Sequence, residues 1–513
     1  MSKPGDSQST EPATVASALP PAASDSGATS TETAESARPP TAKGRSPLLA
    51  ALLSFVWPGL GQLYARRRIE AAIFAVPVVV LAVWFVLQLT DGLAVFAAGF
   101  FDDTYALTFM FVIAGFAVWR GAALVRAYAV AGIPRQPRRR AIHGGVLGIL
   151  LVSIVVMHGF AFSHVLDVYN FDHAIADNSG DNPQTDFPGD QPTDDPSSQL
   201  GDTPSPSLIP WEPATTYAPP NPTQEVTPPP PSSHRITVLL TGVDWQVGRN
   251  HSLNDSLLVV SLDTKARKVA IVSVPRDTAN YDFYWGGTAG INTKINNFYN
   301  LVASNKIHAP DPPMTALTKE IGWLVGVSID YYAVVDLHGF SQMVDVIGGV
   351  CVTNPRAIND PSTGVFIPAG YQCMDGPTTL KYVRSREGAG DSDYTRSSRQ
   401  QDVLIALEQK LATPEGLTHL SDLLALAGQS IKTNFPLKTV KSYISIAQSL
   451  GPNSISKCVL GPPYSYHPDM SLTKGVWTSR LKLYKVASLS WLYFGKDSRY
   501  YGMEGISPQP CGI

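Results

Sequence analysis

Four arginines fall within the twenty residues YVRSREGAGDSDYTRSSRQQ (382–401): Arg384, Arg386, Arg396 and Arg399, directly after Lys381. A guanidinium stays charged and presents a planar fork of N–H donors, so such a cluster suits carboxylates or phosphates. Glu387, Asp391 and Asp393 lie in the same stretch and offer the bland alternative, a solvated face of internal ion pairs. A second charged group gathers upstream. Asp244 closes the run RITVLLTGVD, Asp255 opens DSLLVVSLD, and Arg276 with Asp277 closes KVAIVSVPRD.

These three β-branched runs read as strands. If they run up, down and up, Asp244, Asp255, Arg276 and Asp277 meet at one edge of the sheet. Carboxylates gathered at one edge repel each other unless a cation sits among them. With no His or Cys nearby, oxygen-only ligation points to a hard ion, Mg²⁺ shared with a phosphate, with Mn²⁺ as the alternative. The competing reading makes Asp244 and Asp255 turn or cap residues.

The opening stretch needs two further elements. LKYVRSR (380–386) reads as a strand presenting Arg384 and Arg386 on one face. TRSSRQQDVLIALEQKL (395–411) reads as a helix whose buried stripe is Val403, Leu404, Leu407 and Leu411. Arg396 and Gln400 continue that stripe toward the helix N-terminus, an end that itself favours anions, and so point inward.

The rest of the 513-residue chain is uneven, with a net charge of only −3. Residues 1–45 are poor in large apolar side chains and are expected to form a disordered cytoplasmic tail. Residues 46–163 are expected to form a membrane region, with three spans around 69–89, 105–119 and 142–162. Pro58 and Gly59 break a shorter apolar block ahead of them into a re-entrant or interfacial hairpin. The basic loops ARRR (65–68) and RQPRRR (135–140) place themselves in the cytoplasm, and the loop with Asp91, Asp102 and Asp103 outside. This makes a multi-pass plasma-membrane protein with an extracytoplasmic soluble domain. An Asp/Pro-rich spacer (164–233), a globular domain (234–495) and a C-terminal tail (496–513) follow.

All four cysteines, Cys351, Cys373, Cys458 and Cys511, lie in the part placed outside. An even number in an oxidising compartment argues for disulfides. Cys351 with Cys373 and Cys458 with Cys511 is the preferred pairing because each pair is neighbouring in sequence, though three connectivities are open.

LLTGVD, NDSLLVV, VSVPRDT, KINNFYN, IDYYAVVDLHGFSQMVDVIGGV, YVRSR and DYTRSSRQQ occur in the order and with the spacing of the LytR-CpsA-Psr family, which the chain resembles from 235 to about 410. The resemblance implies an α-β-α sandwich of the α/β class, with a mostly antiparallel central sheet and an apolar groove for a polyprenyl chain. It also implies a phosphotransferase that moves a glycan from a polyprenyl-pyrophosphate carrier to peptidoglycan through a phosphodiester. Carried onto this chain, it assigns Asp244 and Asp255 to Mg²⁺. It assigns Arg276, Lys294, Arg384, Arg386, Arg396 and Gln400 to the pyrophosphate, with Asp277 beside them and Asp255, Arg276 and Asp277 at the chemistry. Where the family usually carries an Arg two residues before the second aspartate, this chain has Leu253; Arg249 or His251 in the same loop are the available substitutes. A non-catalytic module that binds lipid-linked glycan and a polyprenyl-pyrophosphate hydrolase are the competing functions; no nucleic-acid partner is expected.

Overall fold

The computed structural model describes residues 45–177, 233–243, 253–411, 413 and 419–511. The expected tail before Arg45, most of the expected spacer, and Asp244, Arg249 and His251 lie outside the described residues. The expected membrane region begins with α1 (Pro47–Val56), capped by the Ser46 hydroxyl, which accepts from Leu49 N, and α2 (Leu60–Tyr64). Trp57, Pro58 and Gly59 turn the chain between them, with Gly59 at φ 102°. The hairpin is closely packed: a Cβ on Gly61 would stand 2.0 Å from the Ala50 carbonyl oxygen.

Beyond it come α3 (Arg68–Gln88), α4 (Leu93–Ala98), α5 (Asp103–Val130) and α6 (Pro137–Asp177). Helices α3, α5 and α6 are each long and apolar enough to cross a membrane. Helix α6 corrects one expected boundary. It does not stop near 163 but continues as helix to Asp177, into the expected spacer. VLDVYNFDHAIAD keeps an apolar residue every three or four positions, and Val165, Val168, Phe171 and Ile175 are buried in a cluster with Leu424. Tertiary packing thus extends the helix beyond the apolar run.

The soluble part is built on a six-stranded sheet. Its first three strands, β1 (Arg235–Val243), β2 (Asn254–Asp263) and β3 (Lys268–Ser273), form the expected meander. Helices α7 (Phe298–Ala303) and α8 (Pro313–Val325) follow, then β4 (Tyr331–Asp336), α9 (Leu337–Val346) and four short strands, β5 (Val350–Asn354), β6 (Ile358–Asp360), β7 (Val365–Ile367) and β8 (Gly370–Met374). Next come α10 (Gly376–Arg384), α11 (Asp393–Leu411), α12 (Leu420–Ser430), β9 (Ile431–Thr433), α13 (Val440–Gln448), β10 (Ile455–Val459), β11 (Ser465–Tyr466), β12 (Arg480–Leu481) and α14 (Leu483–Phe494).

The sheet order is β10-β3-β2-β1-β4-β9. It is mixed, so the expectation of a mostly antiparallel sheet holds only in part: three of its five pairings are antiparallel, while β4 pairs parallel to β1 and β10 parallel to β3. Both strands arrive after helical crossovers, which is what a parallel pair requires. One face of the sheet buries Leu239, Val259 and Val272 against Phe298, Leu317, Ile321 and Leu324. The segment TALTKEIGWLVGV is therefore core in this structure. A second apolar cluster joins Val344 of α9, Tyr382 of α10 and Val403 of α11 to β5–β8.

Within α8, Glu320 is wholly buried. One of its oxygens accepts from Tyr284 N at 3.3 Å and the other has no hydrogen-bond partner. Burial pushes its carboxyl up to about 8.

Cys351 is bonded to Cys373 across the paired strands β5 and β8, and Cys458 to Cys511. The second bond fastens the chain's last described segment. That segment is also held by Arg499 N, which donates to Gly326 O at 2.9 Å, and by the buried Tyr500. Residues 496–511 thus belong to the folded domain and do not form a separate tail. Cys458→Ser with Cys511→Ser opens a loop of 53 residues. The expected result, read from urea midpoints, is a loss of about 2–4 kcal/mol relative to the parent.

Candidate active site

The site starts from an irregularity in the β1–β2 ladder. Gly242 pairs with Ser256 and Val243 with Asn254, so Asp255 is the extra residue of a bulge. A bulge re-aims one side chain away from the regular alternation. Ser256 Oγ accepts from Gly242 N at 2.7 Å, and the fully buried Asn254 donates its Nδ2 to Thr241 Oγ1 at 2.7 Å. These contacts hold the bulge on both sides.

Pro275 ends β3, and Arg276 follows in a turn in which Thr278 N and Oγ1 both donate to the Pro275 carbonyl. Arg276 Nη1 donates to Asp255 Oδ1, and its Nε faces Asp393 Oδ1 at 3.6 Å. Asp393 stands in the first turn of α11. One helical turn on, Arg396 reaches the same carboxylate oxygen with Nη2 at 2.8 Å, and Arg396 Nη2 also donates to the Asp255 carbonyl at 3.3 Å. Arg384 closes α10, and its charge acts on Asp255 as well.

Three guanidinium charges thus act on Asp255. Burial works to raise the Asp255 carboxyl, but Arg276, Arg396 and Arg384 outweigh it and hold the group below its ordinary value. Burial works against the Arg276 cation, and Asp255, Asp393 and Asp277 reverse this, so it stays protonated. Arg396 is only 4% exposed; burial, opposed by Asp393 and reinforced by the like charge of Arg276, lowers its pKa.

The other expected residues are distributed differently. Lys294 and Asp277 pair with each other at 2.7 Å beside the cluster, where Asn296 N donates to the Arg276 carbonyl. Gln400 donates its amide to the Val383 carbonyl at 3.3 Å, closing the end of α10. The expected strand at 380–386 is a correction. Residues 376–384 are helical because Asp375 caps the Thr378 N–H and Gly376-Pro377 opens the first turn. Arg384 ends that helix, whereas Arg386 lies beyond it and does not share a strand face with it. The Arg386 backbone N–H donates to Asp360 Oδ2 at 2.8 Å.

Two organising residues escaped the sequence reading. Against the pull of burial, Asp360 accepts from the hydroxyls of Ser362 and Ser385 and from the backbone N–H groups of Glu387 and Arg386, which hold its carboxyl well below the usual range. Gln401 is buried in α11 and donates to Ser273 Oγ at 2.7 Å and to the Cys458 carbonyl, pinning the helix to β3 and β10. Arg399 is structural: it pairs with Asp391 at 2.7 Å and donates to the Tyr382 carbonyl. Asp393, by contrast, belongs to the cluster itself.

Among the described residues, Asp393 Oδ2 and Asn254 Oδ1 are buried without a hydrogen-bond donor. Unsatisfied hard oxygens of this kind fit a divalent cation of the Mg²⁺ type.

The model of the LytR_cpsA_psr family matches residues 212–477, half of the chain, and so covers every element of the cluster. The chain belongs to the LytR-CpsA-Psr family. Among family relatives, it is 32% identical over 245 residues to the polyisoprenyl-teichoic acid–peptidoglycan teichoic acid transferase TagU of Bacillus cereus, covering 46% of this chain and 75% of TagU. It is 30% identical over 189 residues to the cell wall biosynthesis protein LcpA of Corynebacterium glutamicum, covering 34% of this chain and 36% of LcpA. The match spans 60% of the length of the Bacillus subtilis family transferase TagV. The crystal structure of TagV from B. subtilis aligns over 51% of this chain and 97% of TagV, at 21% identity and a TM-score of 0.41.

Proposed function

We propose that this family member is a membrane-anchored phosphotransferase. It moves a glycopolymer from a polyprenyl-pyrophosphate carrier onto peptidoglycan and leaves a phosphodiester link. The observation that carries the reading is the convergence of the Arg276, Arg396 and Arg384 charges on the bulged Asp255. Phosphoryl transfer needs charge neutralisation and in-line positioning more than covalent help. In the reaction an acceptor hydroxyl attacks the glycan-bearing phosphorus, its oxygen–phosphorus bond forms, and the bridging bond breaks to release polyprenyl phosphate. Arg276, Arg384 and Arg396 bind the pyrophosphate and meet the charge that collects on the leaving oxygen. Asp255 and Asp393 hold Arg276 and Arg396 at that position. Mg²⁺ held by Asp255, with Asp244 as its further ligand, would supply further neutralisation of the pyrophosphate.

The names of TagU and LcpA support the same class of chemistry. The three apolar helices support anchoring, and the two disulfides support an extracytoplasmic, oxidising location for the soluble domain. Leu253, 37% exposed beside the cluster, offers no charge where the family usually has an arginine, and is the one feature that favours a non-catalytic binding module.

The deciding experiment supplies the purified full chain with labelled polyprenyl-pyrophosphate oligosaccharide and Mg²⁺, with and without peptidoglycan. Label recovered on peptidoglycan through a phosphodiester is the expected result. Release of glycan phosphate irrespective of acceptor would make the protein a hydrolase, and retention of intact substrate would make it a binding module.

A further inference from the structure

Resting on the phosphotransferase reading, we propose that Trp477 is a platform on which a pyranose ring of the glycan substrate stacks, beside the pyrophosphate cluster. Its indole is 51% exposed, yet it is firmly seated. It lies on the ring of His467 at a centroid distance of 3.9 Å and an interplanar angle of 31°. His467 is fixed from both sides. Its Nδ1 lies 2.8 Å from the Thr478 carbonyl, which can only accept, so Nδ1 carries the proton; its Nε2 lies 2.9 Å from the Tyr394 hydroxyl. Tyr394 is the neighbour of Asp393 in α11, and its hydroxyl is also within 3.4 Å of Ser479 Oγ. A Cβ on Gly461 would stand 2.7 Å from the Tyr394 ring, so the ring is backed by main chain.

The same segment is tied to the catalytic turn. Ser479 bridges Thr278 in parallel, with Ser479 N donating to the Asp277 carbonyl and Ala279 N to the Ser479 carbonyl, both at 2.8 Å. Trp477 lies two residues before Ser479, as Arg276 lies two residues before Thr278. An exposed indole backed on one side by half-buried His467 and Tyr394 and lying beside a phosphate-binding cluster is placed for the sugar that such a phosphate carries. The π face is negative and the axial C–H bonds of a pyranose are weakly positive, so the two attract while the sugar hydroxyls stay in water.

The ring can come from the donor glycan or from the peptidoglycan acceptor, and the test separates them. Full-length protein in detergent is titrated with polyprenyl pyrophosphate lacking sugar and with the same carrier bearing a disaccharide. KM is measured for a soluble peptidoglycan fragment. In Trp477→Ala, affinity for the glycosylated carrier is expected to fall about tenfold, while the sugar-free carrier binds as in the parent and Trp477→Tyr restores most of the loss. A tenfold rise in KM for the peptidoglycan fragment alone would place the acceptor ring on the indole and also support the platform. Unchanged values for both sugars, or an equal loss with the sugar-free carrier, would overturn it. Should the parent protein fail to bind the sugar-free carrier, the phosphotransferase reading itself falls.

Discussion

Arg276→Ala is expected to lower glycan transfer by about 10²–10³-fold, the scale of losing one preorganised donor to transition-state charge. The same change removes the cation between Asp255 and Asp393, whose side chains are 24% and 18% exposed. Stability should therefore fall as well, by about 1.5–3 kcal/mol for a hydrogen-bonded charge. Arg276→Lys separates the two effects, because it keeps the charge and loses the planar fork. It should melt close to the parent and still transfer slowly. A folded Arg276→Lys protein with full transfer activity would remove Arg276 from the chemistry. Arg396 is tied into the fold as well as the site. Its side chain is 5% exposed and bridges α11 to the bulge, so Arg396→Ala should lose activity and stability together.

The second large effect is expected at Glu320. Its carboxyl is raised to about 8 by burial, so the folded chain keeps this proton where the unfolded chain, with an ordinary carboxyl at 4.5, releases it. The contribution is fully present below 4.5 and is lost as pH rises from there toward 8. By pH 7 the group costs about 3 kcal/mol relative to a neutral isostere. Glu320→Gln should accordingly raise stability at pH 7 by about that amount and flatten the fall in melting temperature between pH 5 and pH 8. Melting curves of parent and variant that stay parallel across this range would show that Glu320 is ionised in the folded domain.

Local pattern was sufficient for some features and not for others. β-Branched runs with a charge at each end gave the meander and the convergence of Asp255 with Arg276. The stripe expected along α11 holds in part: Arg396 and Val403 are buried, but Leu411 is exposed and the buried face runs instead through Arg399 and Ala406. Asp255's position as the extra residue of a bulge left no trace in the pattern, since it depends on the partner strand's register. LKYVRSR misled because Tyr and Val favour strands, while the capping Asp375 and the Gly-Pro start lie outside the seven residues read. Asp360 and Gln401 act across 25 and 128 residues respectively, on Ser385 and Ser273, and no local signal marks such contacts. The parallel pairings of β4 and β10 are equally non-local.

Helix α6 has a mechanical meaning. With 41 residues it is about 60 Å long, roughly twice the hydrocarbon thickness of a bilayer. Its far end does not hang free: Phe171 lies against Gly428 of α12, and Lys438 pairs with Asp103 at the head of α5 at 2.6 Å. A domain mounted on such a strut works at a set height and angle, like a tool on a fixed arm. If the proposed reaction holds, a lipid carrier would have to rise to one constant height, and the acceptor strands within range would be those that pass close to the membrane.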